Sequence, residues 1–316
     1  MMRRMNIIAA LVLAAGLFSC SGASSSSGEA EKSVAPPEKA PLKAVVSLAA
    51  KSVEVTMATT GGKEHTIVLA PCGVNQLPAL SVLKLGQREI TSGSDWVGPY
   101  GMFTAGNPTY TGFTGGWHSH TNSTYGKPTA QNLRFSVSFD GTPLEDGGTF
   151  TGKEVSVTVL NGINSNDTKG ESYGREVLRE EVTYTFRDGL MYVRVVSTSL
   201  EPIEIYQYYG MQICGFCDVF TFRGADGKDY VMDTSEDYGC PVHCYDIYGT
   251  RDGCSVHAHL DTEGLGDQAL SDPEGYAFCR YYGPGNGKAY YSLINIRTLY
   301  EKGESLSWSG YYEFNY

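Results

Sequence analysis

A chain of 316 residues with 41% hydrophobic content is long enough to bury a sizeable core, and it carries 24 basic against 35 acidic residues, a net charge of −11. That balance excludes nucleic acid as a partner, because phosphate backbones are held by clustered basic side chains. It also argues against long-range attraction of a polyanion.

Met1 to Arg4 form a short basic region and Asn6 to Phe18 an apolar run, followed by Leu17-Phe18-Ser19-Cys20 with small Ser19 before the cysteine. The apolar run is shorter than the roughly 20 residues that span a bilayer, so residues 1–19 are expected to be a cleaved signal peptide. Leu-Phe-Ser-Cys resembles the lipobox of bacterial lipoproteins, which implies lipidation at Cys20 and attachment to a membrane through that anchor. Ser21 is not an acidic retention residue, so the outer membrane is expected, with the periplasmic and surface faces both open. Removal of residues 1–19 takes Arg3 and Arg4 with it and leaves 22 basic against 35 acidic residues, net −13. Residues 20–41 are rich in Ser, Gly, Glu, Ala, Lys and Pro with no periodic apolar positions, the composition of a flexible tether. Residues 42–316 show no second composition break and are read as one domain.

Seven cysteines follow Cys20, six of them between Cys214 and Cys279. In an exported chain they predict two or three disulfides bracing residues 214–279, with one thiol left over because seven is odd. The alternative is a metal, since Cys214-x-x-Cys217 and Cys240-x-x-x-Cys244 have zinc-like spacing with His243, His257 and His259 nearby.

The domain reads as strands. Leu133, Phe135, Val137 and Phe139 alternate with polar residues before an Asp140-Gly141 turn, and Val155, Val157 and Val159 repeat the period of two. Val182, Tyr184 and Phe186 alternate likewise before Asp188-Gly189, which predicts a hairpin. Its return strand, 190–196, is apolar on both faces except for Arg194, as in a strand sandwiched between layers, and Arg194 is expected in a buried ion pair. Further strands are expected at 52–57, 65–70, 81–85, 203–209, 219–222, 289–296 and 306–314. The tract 230–259, with Asp233, Asp237, Tyr238, His243, Tyr245, Asp246, His257 and His259 among its cysteines, reads as one long stapled loop. No window offers an amphipathic helix, and the 38 glycines suit many tight turns. The fold class is therefore all-β, a large antiparallel β-sandwich with few or no helices.

Two segments sharpen that expectation. Glu181 to Ile203 is similar to the central hairpin of galactose-mutarotase-like β-supersandwiches, and Leu299 to Trp308 resembles their last loop and closing strand. The resemblance implies a carbohydrate-handling protein: a mutarotase or epimerase, a polysaccharide-lyase domain, or a non-catalytic glycosidase domain. Of the two histidines a mutarotase sets around the sugar ring oxygen, the first is matched by His118 or His120. The second falls where this chain has Gln207 and tyrosines, so simple mutarotation lacks its acid.

The segment Thr114-Gly-Gly-Trp-His-Ser-His-Thr-Asn122, with Tyr125, is the most site-like. Trp117 can stack on a pyranose, His118 and His120 can transfer protons near neutral pH or hold a metal, and Asn122 can bind hydroxyls or a carboxylate. Lyase-type β-elimination would use His118 or His120 as base, Asn122 or Arg134 against the uronic carboxylate, Gln207 beside it, and Tyr125 or Tyr208 as acid. A packed Trp with two solvated histidines is the plain alternative, and a solvated strand residue is the plain reading of Arg134. The functional expectation is thus an envelope lipoprotein acting on an oligo- or polysaccharide by general acid-base chemistry, elimination ahead of epimerisation. The alternative is a glycan-binding lipoprotein without turnover. No cofactor is expected, with a structural or catalytic divalent metal as the alternative.

Overall fold

The computed structural model describes residues 40–91, 94–109, 112–170, 172–215, 217–232, 238–261, 279–282 and 287–316. The signal segment 1–19, Cys20, the tether before Ala40, Asp233, Asp237 and the Tyr238 side chain lie outside the described residues.

The strands run in chain order as follows. The first group is β1 (Leu42–Ser47), β2 (Ser52–Ala58), β3 (Glu64–Cys72), β4 (Leu77–Leu85), β5 (Arg88–Thr91), β6 (Tyr100–Thr104), β7 (Ala130–Phe139), β8 (Thr142–Pro143) and β9 (Gly148–Gly152). Next come β10 (Val155–Asn164), β11 (Glu176–Arg187), β12 (Leu190–Ser199), β13 (Ile203–Ile213), β14 (Val219–Gly224), β15 (Asp229–Met232) and β16 (Tyr238–Gly239). The last are β17 (Cys244–Arg251), β18 (Cys254–Asp261), β19 (Cys279–Tyr282), β20 (Lys288–Ile294), β21 (Thr298–Tyr300) and β22 (Ser305–Asn315). No helix occurs among the described residues, and the fold is all-β and antiparallel, as the sequence pattern predicts. Three sheets form: β5-β4-β3-β2-β1-β9, the ten-stranded β15-β14-β17-β18-β22-β12-β11-β10-β7-β8, and β16-β19-β20-β13-β21 with β6 added on β13.

Hairpins are set by Asp-Gly pairs at Asp140-Gly141, Asp188-Gly189 and Asp252-Gly253, whose φ values are all positive (45° and 78°, 56° and 83°, 48° and 78°). Two successive left-handed residues match the twist of the strands they join, and glycine adopts this backbone without steric cost. Between the hairpins, pleating sends alternate side chains inward. Leu306, Trp308, Tyr312 and Phe314 of β22 and Met191, Val193 and Val195 of β12 join one core with residues from all three sheets.

A polar network crosses this core. Tyr100 and Tyr208 stack at 4.4 Å with ring planes 6° apart. The Tyr208 hydroxyl accepts the Trp308 indole N–H at 2.7 Å, and the Tyr100 hydroxyl donates to Glu180 at 2.8 Å. Asn161 donates to the other Glu180 oxygen at 2.9 Å, and Ser197 lies 2.6 Å from the Tyr100 hydroxyl.

Four expectations are corrected. The tract 230–259 is not one loop: it contributes β15, β17 and β18, because Cys244, Ile247, Cys254, Val256, Ala258 and Leu260 face inward at strand period around the Asp252-Gly253 turn. The strand at 190–196 is buried on one face only, and Arg194 is exposed on the other, so no buried ion pair forms there. Cys72, Cys214, Cys217, Cys240 and Cys254 are free thiols, which rules out the two or three disulfides expected; among the described cysteines, Cys244 is the one in a disulfide. The free cysteines pack as small apolar groups, and burial pushes the Cys72 thiol up to about 12 and the Cys214 thiol up to about 11, so both stay protonated. Nor do the zinc-like cysteine pairs gather with histidines among the described residues.

Tyr208→Phe would strip the Trp308 N–H of its buried acceptor and should cost about 1–3 kcal/mol in urea denaturation. Tyr311→Phe, on the outer face, should change stability by less than about 0.5 kcal/mol.

Candidate functional site

The Gly-rich loop expected to carry chemistry is held rigidly. Asn75, in the β3–β4 turn, donates to the carbonyls of Gly116 (2.7 Å) and His118 (3.1 Å) and accepts the N–H groups of Thr129 (2.7 Å) and Ala130 (3.1 Å). The buried Asp95 carboxylate accepts the Trp117 N–H at 2.6 Å and lies 3.6 Å from His118 Nε2. His118 Nδ1 is 3.1 Å from Asn122 Oδ1, so one ring nitrogen is hydrogen-bonded within the loop and the other faces the Asp95 carboxylate. Asn122 also accepts the Phe113 N–H at 2.8 Å and sits at φ 59°, a left-handed position asparagine tolerates. Gly73 is required beside Trp117, since a Cβ there would lie 2.7 Å from the indole Cγ.

The other residues of that expected site are dispersed. His120 Nδ1 accepts the Lys127 N–H at 3.0 Å, and Tyr125 is 81% exposed. Tyr208 is 0% exposed within the core, where burial pushes its hydroxyl up from the ordinary tyrosine range. Gln207 is half-buried on β13 opposite Gly101 of β6. Arg134 pairs with Glu181 at 2.9 Å on the exposed face of the large sheet, a solvated pair. The cavity beneath Trp117, lined by Cys72, Asp95, Asn161, Glu180 and Tyr184, holds about 30 Å³. That is room for about two waters. A sugar ring needs a pocket about ten times larger.

A second cluster occupies the outer face of the ten-stranded sheet. Tyr192 of β12 faces Tyr311 of β22, Tyr311 faces His259 of β18, and His259 faces Asp246 of β17, one row across four strands. The adjacent row places Glu313 opposite His257 and His257 opposite Tyr248. Tyr248 stacks on His257 at 4.3 Å with planes 12° apart, and Tyr311 stacks on His259 at 5.0 Å with planes 24° apart. Tyr192 meets Tyr311 edge-on at 6.0 Å.

Asp246 Oδ1 accepts from His257 Nε2 at 2.8 Å and from His259 Nδ1 at 2.7 Å. Burial alone would raise the Asp246 carboxyl, but these two hydrogen bonds outweigh it and hold the group well below the usual carboxylate range. The same bond, against partial burial, raises His259 above the ordinary histidine value. The far nitrogens meet further acids: His257 Nδ1 lies 3.5 Å from Glu313 Oε2 and His259 Nε2 lies 3.6 Å from Asp261 Oδ1. Glu313 is steadied by Thr60 and by Asn315, which donates at 3.1 Å. His243 is not part of this group; it lies before β17, where its carbonyl accepts the Ala225 N–H at 2.7 Å. Sequence reasoning named His257, His259 and Asp246 but not Tyr192, Tyr248, Tyr311 or Glu313. The legible sign was the period-two run Cys254 to Asp261 after an Asp-Gly turn.

No protein-family model and no curated protein matches the chain. Among solved structures, it is similar to the GH36 alpha-galactosidase AgaB from Geobacillus stearothermophilus at 10% identity and a TM-score of 0.49, over 86% of this chain and 41% of that one. It is also similar to the alpha-galactosidase from Lactobacillus brevis, at 7% identity and a TM-score of 0.47, over 85% of this chain and 40% of that one. A protein from Synechocystis sp. PCC 6803 matches at 8% identity and a TM-score of 0.41, over 79% of this chain and 92% of that one. The chain spans about two-fifths of the length of the two alpha-galactosidases.

Beneath the loop, burial pushes the Glu180 carboxyl up against hydrogen bonds from Asn161 and Tyr100. Between the ordinary carboxylate value and the raised one, the folded chain keeps a proton that the unfolded chain has released. Stability contributed at Glu180 therefore falls as pH rises through that window. Urea midpoints from about pH 4 to about pH 8 should show Glu180→Gln gaining on the parent as pH rises; a pH-independent difference would contradict this.

Proposed function

We propose that the chain is a glycan-binding lipoprotein of the bacterial cell envelope that seats its sugar on the outer face of the ten-stranded sheet. The observation that carries this reading is the two-row array in which the Tyr192, Tyr311 and Tyr248 rings alternate with Asp246, Glu313, His257 and His259. A pyranose has an apolar face of C–H groups and a rim of hydroxyls. Tyrosine rings take the first at little entropic cost, and carboxylates and imidazoles pair with the second. The similarity of residues 181–203 and 299–308 to galactose-mutarotase-like sandwiches supports the same substrate class. The Leu17 to Cys20 lipobox and the polar tether support anchorage at a membrane, and Ser21 supports the outer one.

Lyase-type β-elimination, or aldose epimerisation, is the enzymatic reading of the same protein. With the base the sequence singles out, it would use the His118 or His120 imidazole with an open lone pair beside the sugar. His118 Nδ1 is turned to Asn122 and its Nε2 toward the buried Asp95 carboxylate, His120 uses Nδ1 to accept a backbone N–H, and Tyr208 is sealed in the core. Binding therefore takes precedence over turnover.

The full-length chain in detergent micelles should retain a subset of a broad polysaccharide panel in affinity electrophoresis. Tyr248→Ala and Tyr311→Ala should each weaken that retention between about two- and tenfold with the circular dichroism unchanged. Ultraviolet absorbance rising during incubation with uronic-acid polysaccharides would move the assignment to a lyase. Absence of binding across the panel, or binding indifferent to both substitutions, would remove it.

A further inference from the structure

We propose that Asp246, His257 and His259 form a binding site for a divalent transition metal of the zinc class, open on the solvent side. One ligand atom from each, Asp246 Oδ1, His257 Nε2 and His259 Nδ1, lies within 4.8 Å of the others. Two imidazoles and one carboxylate suit zinc and its first-row neighbours far better than magnesium or calcium, which select all-oxygen shells. At metal–ligand bonds near 2.0 Å, tetrahedral ligand atoms stand about 3.3 Å apart. The present 2.7 and 2.8 Å separations need to open by only about half an ångström, within reach of small side-chain rotations.

The backbone makes the arrangement exact in direction. His257 and His259 are two apart on β18 and so share its outer face, while Asp246 stands directly across from His259 on β17. Three protein ligands on two adjacent strands leave the outward position for water or another donor.

The opposite ring nitrogens face acids as well. A metal-ligating histidine donates its other N–H to an acceptor that fixes ring and tautomer. Both histidines have such an acceptor in place: Glu313 Oε2 at 3.5 Å from His257 Nδ1 and Asp261 Oδ1 at 3.6 Å from His259 Nε2. Three carboxylates around two imidazoles also leave negative charge that a dication offsets. The flanking Tyr248 and Tyr311 rings, stacked on the two imidazoles, hold their planes. The site shares Asp246, His257 and His259 with the proposed glycan face, but its probe is the metal ion alone, so its failure is distinguishable from a failure to bind glycan.

Full-length chain in micelles, stripped with EDTA and titrated with zinc chloride in a calorimeter, should bind one ion per chain, undisturbed by excess magnesium or calcium. Cobalt(II) in its place should give visible bands of a low-coordinate nitrogen–oxygen site with no sulfur-to-cobalt charge transfer, which separates this site from the free thiols. His257→Gln and His259→Gln should each abolish the zinc isotherm while leaving the circular dichroism intact. Glu313→Gln and Asp261→Asn should each weaken it by about 10- to 100-fold. A failure to bind zinc, a thiolate cobalt spectrum, or an isotherm unchanged in the histidine variants would overturn the proposal. The cobalt spectrum of the parent chain decides even if a variant fails to fold.

Discussion

The pleat of β22 is the constraint on which both faces of the large sheet depend. A strand turns successive side chains to opposite sides, so once Trp308 and Tyr312 are fixed in the core, Tyr311 and Glu313 have nowhere to go but outward. Tyr312 fixes that phase firmly: its hydroxyl accepts the Gln212 N–H at 3.1 Å and lies 2.9 and 2.8 Å from the carbonyls of Trp96 and Gln212. A slip of one residue would bury Glu313 and expel Trp308 together. The rings and acids of the outer face are thus positioned by what lies beneath them.

The Gly-rich loop illustrates the opposite relation of sequence to role. Its Trp, histidines and asparagine have the chemistry of a site, but Asn75 and Asp95 spend their hydrogen-bonding capacity on this segment, and His118 is tied to both Asp95 and Asn122. A buried carboxylate stays tolerable only when its lone pairs are met, and the loop meets those of Asp95. The cluster therefore serves as a brace between the β3–β4 turn and the core.

Strands with apolar residues on alternate positions were legible from the sequence: β10 and β11 show their period, β7 does so from Phe135 onward, and Asp140-Gly141 and Asp188-Gly189 mark turns that the structure forms. The run Cys254-Ser-Val-His-Ala-His-Leu-Asp261 alternates just as cleanly. Reading its cysteines as covalent staples made it look like a loop, whereas Cys254 is a free thiol filling an inward position. Arg194 misled for a related reason. A charge amid valines suggests burial on both faces, and only a pairing partner across the sheet, Ser309 of β22, shows that its side faces solvent. The alignment of Asp246 with His259 and of Glu313 with His257 was beyond reach, because cross-strand register is a property of the assembled sheet.

The place of β22 between β18 and β12 also bears on how the sheet is made. Strands β8, β7, β10, β11 and β12 form one ladder and β15, β14, β17 and β18 another, and in the ten-stranded sheet the two are hydrogen-bonded together only through β22. Until residues 305–315 arrive, each ladder presents a naked edge to any other extended chain nearby. Closing both edges in one step joins segments more than a hundred residues apart in the case of β12, so loop-closure entropy is spent before its contacts form. Folding of this sheet should accordingly be slow, and an escort that shields two open edges would be of most use to the chain before its last strand docks.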